Sequence, residues 1–173
     1  MIARHDDDPA VVVGHAAGNR YVRVLAANRP DLVRGVVVAT SCSGPPDRRL
    51  NEDLRVASDP SRAPVERLRA LQRSFFASSS DPRAWLEGWH PATVRAQSSS
   101  TPIAGWHRAG SVPVLDLQGA QDAWRPRSTV DELRNELGPV RVHVRVIENA
   151  GHALLVEQPT DVADAIADWS GSL

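Results

Sequence analysis

The opening forty residues constrain the fold more than any other stretch. Ala10-Val11-Val12-Val13 is a short, apolar, β-branched run that reads as a strand buried on both faces. Gly14 to Gly18 is a tight turn. Asn19 to Asn28 places Val22, Leu25 and Ala26 at helical spacing and is stopped by Pro30. Val33 to Thr40 is a second strand. Strand, helix and strand in that order imply parallel pairing through a right-handed crossover, and therefore an α/β sheet.

The same rhythm returns late in the chain. Val112 to Leu117 predicts a third strand, and Ser128 to Leu137 a helix stopped by Gly138-Pro139. Val140 to Ile147 alternates apolar with polar residues, as a half-exposed or edge strand does. Thr160 or Asp161 caps a last helix carrying Val162, Ala165, Ile166 and Trp169. Between the two halves no strand pattern appears. Pro64 opens a helical pattern with Val65, Leu68, Leu71, Phe75 and Phe76 on one side, and Asp81-Pro82 starts another. The expected organisation is a core from residues 1–44 and 111–173, with a helical insertion at 45–110 that holds Trp85, Trp89 and Trp106.

Composition narrows the function classes. A chain of 173 residues holds one domain with a real core. Its 20 basic residues are all arginine, interspersed with 21 acids for a net charge of -1, so no basic stripe points to nucleic acid. The single cysteine, Cys42, excludes an internal disulfide. No apolar run is long enough for a signal peptide or a membrane span, and a cytoplasmic protein is expected.

The turn after the first strand carries the strongest chemical signal. A strand, then G-x-S-x-G, then a helix is a nucleophile elbow: a sharp turn that aims its middle side chain into a site. Gly14-His15-Ala16-Ala17-Gly18 has the glycines and the flanking elements, but Ala16 fills the nucleophile position. Both glycines are expected to be required by close approach of strand and helix backbone. Further along, Gln118-Gly119-Ala120-Gln121-Asp122 follows the third strand and Asn149-Ala150-Gly151-His152 the fourth. Parallel strands bring all three loops to one sheet edge, where sites in such folds lie.

Acid and then histidine after the elbow, in that order, give the chain its resemblance to the C-terminal two-thirds of an α/β-hydrolase superfamily protein. Val11 to Gly35 resembles the elbow and its helix. Val112 to Asp122 resembles the acid strand, and Ala150-Gly151-His152 through Glu157-Gln158-Pro159 the histidine loop and final helix. The helical middle matches the family's cap. The resemblance implies a partial α/β-hydrolase fold: a mostly parallel sheet of about four strands with flanking helices and a helical cap. It also implies Asp122 and His152 as the acid and base of the site.

Two departures alter what the resemblance implies. Ala16 has no group to attack a carbonyl, so a serine mechanism is excluded at that position. The family's first strands and the loop supplying one oxyanion-hole amide have no counterpart here, which leaves the Ala17 N–H of that pair. The elbow strand is then expected at an apolar sheet edge. A late start assignment, a truncation or a second chain covering the edge all fit, and a homodimer is the physically cheapest cover.

The remaining candidates carry two readings each. His15 either lines the pocket or packs beneath the turn, and packing is expected. Asn19 either donates to a ligand or fixes the turn, and the structural role is expected. Trp85, Trp89 and Trp106 in the insertion, and Trp124 beyond Asp122, either wall an apolar pocket or pack the cap onto the sheet. Ser41, Cys42 and Ser43 end the second strand without a base pattern beside them. His5 and His143 read as surface residues. His15, His90, His107 and His152 lack metal-ligand spacing, so no metal is expected, and with no phosphate-cradling loop or dinucleotide fingerprint no cofactor is either.

These residues support two functions. The first is a hydrolase-like enzyme in which an Asp122–His152 general base acts on a small apolar substrate, by ester or lactone hydrolysis, elimination, isomerisation or cyclisation. The second is a non-catalytic ligand-binding or assembly protein on the same scaffold.

Overall fold

The computed structural model describes residues 8–41, 47–99 and 108–173. Four strands, β1 (Ala10–His15), β2 (Val33–Ala39), β3 (Val114–Gly119) and β4 (Val142–Ile147), form one sheet in the order β1-β2-β3-β4, with every pair parallel. Helix α1 (Asn19–Asn28) makes the first crossover. Helices α2 (Arg48–Ser58), α3 (Pro64–Ser74) and α4 (Pro91–Ser99) lie between β2 and β3 in the chain. Helix α5 (Glu132–Leu137) precedes β4, and α6 (Leu154–Glu157) and α7 (Pro159–Ser170) follow it.

The two central strands are covered on both faces, as their continuous valine and leucine runs require. Val37 and Ala39 of β2 and Leu115 and Leu117 of β3 pack under Val162, Ala165 and Trp169 of α7. Val36 and Val38 of β2 and Val114 of β3 pack on the other face with Ala26 of α1 and Leu133 of α5. Among the described residues β1 and β4 are the edges. β4 alternates buried with exposed positions, as its sequence predicts, and on β1 Val13 remains 45% exposed.

Three local expectations are corrected. The predicted helix over Ser128–Leu137 is a 3-10 turn at Arg127–Thr129 followed by the six-residue α5, with Gln118 Nε2 donating to the Val130 carbonyl oxygen between them. Val65 does not join the apolar side of α3 and is 53% exposed. Asp81 caps a 3-10 turn at Pro82–Trp85 rather than a longer helix, accepting from the Arg83 N–H.

Helices α2 and α3 are tied by a buried carboxylate. Asp53 accepts from Ser74 Oγ at 2.5 Å and pairs with Arg73. A cluster of Ala57, Ala70, Leu71, Phe75 and Phe76 joins this helical layer to Ala153 beside the sheet.

A second buried polar group sits under the α1 face. Asp116 of β3 is paired with Arg125 through both oxygens, at 3.1 and 2.8 Å, and both side chains are almost wholly buried. Arg125 also donates to the Ser41 carbonyl oxygen, and Arg23 of α1 to Ser41 Oγ. Burial raises the Asp116 carboxyl above its ordinary range and lowers the Arg23 guanidinium to about 10.

Candidate functional site

Parallel pairing carries the carboxyl ends of β1, β3 and β4 to the same sheet edge, and the residues following those strands build the site. After β1 the chain turns within Ala16–Gly18 before α1 begins. Ala16 takes a positive φ of 48°, a left-handed conformation that costs an L-residue about 1–2 kcal/mol. Asn19, buried at the start of α1, donates from Nδ2 to the Ala16 carbonyl oxygen, so it fixes the turn as expected. Gly14 is required by close approach: a Cβ there would lie 2.5 Å from Val22 Cγ2 and 2.6 Å from Asn19 Cα. Gly18 is not. It has an ordinary helical φ of -62°, and among the described residues a Cβ there would meet nothing within 4 Å.

After β3 and β4 two loops close on each other. The Ala120 N–H donates to the Ile147 carbonyl oxygen and the Gln121 N–H to that of Ala150. Gly119 permits this, because a Cβ would lie 2.2 Å from the Gly151 carbonyl oxygen. The result brings Asp122 and His152 together. His152 Nδ1 lies 3.2 and 3.1 Å from the two Asp122 carboxylate oxygens, and both residues are buried. Asp122 Oδ1 also accepts from the Trp124 N–H at 2.8 Å, which holds the carboxylate in place. The bond to Asp122 occupies Nδ1–H and leaves the imidazole lone pair on Nε2.

His15 donates from Nε2 to the His152 carbonyl oxygen at 2.8 Å. Its ring lies 5.3 Å from that of His152 and 5.8 Å from that of Trp85. Burial lowers its pKa to about 4, with the neighbouring His152 adding to the effect, so the ring is neutral near pH 7.

Aromatic rings close over the pair. Phe75 stands edge-on to His152 at 5.7 Å and Trp124 lies 5.5 Å from it. Trp85 and Trp89 pack 6.0 and 6.1 Å from Phe75. The His152 side chain is left 6% exposed. Ala17 is half-buried beside Ala16. Ser41 is buried and engaged with Arg23 and Arg125. His90 and His143 are exposed. Trp106, Cys42, Ser43, His5 and His107 lie outside the described residues. Among the described residues no group of three or more His, Cys, Asp or Glu is placed to hold a metal ion, and no helix is long and apolar enough to cross a membrane.

Two residues at the site went unassigned from sequence. Phe75 continues the apolar pattern of α3 one residue past its end, and nothing in its spacing distinguishes a ring that reaches His152. Glu157 reads as a polar residue ahead of Pro159, yet its carboxylate accepts from the N–H groups of Gly151 and Ala77.

A parallel sheet with Asp122 and His152 meeting on its carboxyl-end loops is the frame of an α/β hydrolase. A profile of the alpha/beta hydrolase family matches residues 1–165, and the chain belongs to that family. It is 27% identical to a pyrethroid hydrolase of Sphingobium wenxiniae, over 93% of this chain and 63% of that protein. The chain therefore spans less than two thirds of that relative's length. Among solved structures it resembles the esterase RhEst1 from Rhodococcus, with a TM-score of 0.73 and 19% identity over 96% of this chain and 66% of that one. It also resembles a pyrethroid hydrolase from Sphingobium faniae, with a TM-score of 0.66 and 23% identity over 98% of this chain and 74% of that one.

Proposed function

We propose that this protein is a hydrolase-like catalyst that uses the Asp122–His152 pair as a general base on a small apolar substrate, without a serine nucleophile. The observation that carries the reading is the buried contact of His152 Nδ1 with both Asp122 oxygens, beside an Ala16 that keeps the left-handed turn but has no hydroxyl. In ester or lactone hydrolysis, His152 Nε2 takes a proton from water as the water oxygen bonds to the carbonyl carbon. Collapse of the tetrahedral intermediate breaks the C–O bond, and the imidazolium returns the proton to the departing oxygen. Elimination, isomerisation and cyclisation draw on the same base. In this reading residues 45–110 act as the cap over the core of 1–44 and 111–173. Trp85, Trp89 and Trp124 wall the apolar site, and the Ala17 N–H serves a developing oxyanion. General-base assistance is worth about two to four orders of magnitude, so an activated substrate suits it.

The experiment is turnover of a panel of p-nitrophenyl esters and lactones. The expected result is turnover that His152→Ala abolishes and Ala16→Ser leaves in place. Unchanged turnover in His152→Ala refutes the reading.

One observation favours a second reading, a ligand-binding protein. The rings of Phe75, Trp85, Trp124 and His15 crowd a histidine that is only 6% exposed. This reading expects saturable quenching of tryptophan fluorescence by an apolar ligand, with no product formed.

A further inference from the structure

We infer that Glu157 is a positioning residue. It locks the loop carrying His152 to the segment carrying Phe75, and so sets the imidazole against both Asp122 and the aromatic wall. The inference rests on the general-base reading for its catalytic consequence, but its structural content stands apart from that reading.

Glu157 is the last residue of α6, five positions after His152. One carboxylate oxygen accepts from the Gly151 N–H at 2.7 Å, and Gly151 immediately precedes His152. The other accepts from the Ala77 N–H at 2.7 Å, two residues beyond Phe75. On the other side of His152, the Ala153 N–H donates to the Phe75 carbonyl oxygen at 2.9 Å. The residues on both sides of His152 are thus tied to one short segment, Phe75 to Ala77, directly at Ala153 and through Glu157 at Gly151. The neighbouring Ser78 reaches the acid loop, with its N–H donating to Gln121 Oε1 at 3.2 Å.

Both N–H groups aim at an ionised acceptor, and such bonds are shorter and stronger than neutral ones. A carboxylate suits the position because it accepts at both oxygens. A glutamine presents one oxygen and one NH2, so one of the two N–H groups must face a donor. Glu157→Gln therefore cuts one tie while nearly preserving volume. A site held a fraction of an ångström out of register loses much of its orientation advantage.

The test combines NMR of the histidine rings with amide hydrogen exchange. In the wild-type protein the Gly151 and Ala77 amides are expected to exchange slowly and at matched rates. In Glu157→Gln at least one of them loses protection, and the His152 Nδ1 proton broadens or shifts while far-UV circular dichroism is retained. Where an ester is turned over, kcat falls by about 10- to 100-fold with KM little changed. Fast exchange of either amide in the folded wild type overturns the inference, and this arm needs no variant. A folded Glu157→Gln protein with an unaltered His152 Nδ1 signal also overturns it. Turnover that survives His152→Ala refutes the general-base reading instead and leaves both NMR results to be judged by themselves.

Discussion

Acid should destabilise this protein through His15, by an amount that follows from where its ring sits. The unfolded chain titrates His15 near the ordinary 6.5, whereas the folded protein holds it at about 4, chiefly by burial and then by the nearby His152. Above pH 6.5 both states leave the ring neutral and His15 contributes its full stability. Between 6.5 and about 4 the unfolded chain binds a proton that the folded protein excludes, so stability falls as pH falls. A tenfold change in the protonation equilibrium is about 1.4 kcal/mol, so by pH 4 the loss through this one residue reaches about 3 kcal/mol. The assay is urea unfolding followed by tryptophan fluorescence at pH 7.5 and pH 4, on the wild type and on His15→Gln. Carboxylates weaken both proteins in acid, so the informative quantity is the difference between their losses. Wild type should lose about 3 kcal/mol more than the variant. Equal losses would refute the burial argument, as would a His15 NMR titration centred near 6.5.

Other perturbations test the turn and the buried pair. Gly14→Ala should destabilise by roughly 3 kcal/mol through overlap with Val22 and Asn19. Gly18→Ala should stabilise by about 0.4–1 kcal/mol, since its φ suits alanine and its Cβ meets no neighbour among the described residues; urea midpoints check both. Ala16→Gly should relieve the left-handed φ and raise stability by roughly 0.5–1 kcal/mol in the same measurement. Arg125→Met should cost about 3–5 kcal/mol by leaving the Asp116 carboxylate buried without its partner. Asp116→Leu combined with Arg125→Met should recover most of that loss, and a double-mutant cycle measures the coupling.

The parallel topology and the meeting of Asp122 with His152 follow from local patterns along the chain. Strand-helix-strand order forces parallel pairing, continuous valine runs force burial on both faces, and these two facts bring Asp122 and His152 to one edge. The identity of Ala16 needs no structure to exclude a hydroxyl. Contacts between segments distant in the chain were decided only by tertiary packing. Nothing local to His15 marks the bond that its Nε2 makes to the His152 backbone, 137 residues away. Phe75 and Glu157 carry no local mark of their place, because Phe75 only extends the apolar pattern of α3 past its end and the N–H groups that Glu157 serves lie 6 and 80 residues off. Gly18 errs in the other direction. The motif suggests that its backbone needs room, and the fold leaves that room open. Periodicity and turn chemistry act over a few residues and can be read along the chain. Which side chain closes on which loop depends on how the layers pack, and packing is a property of the folded molecule.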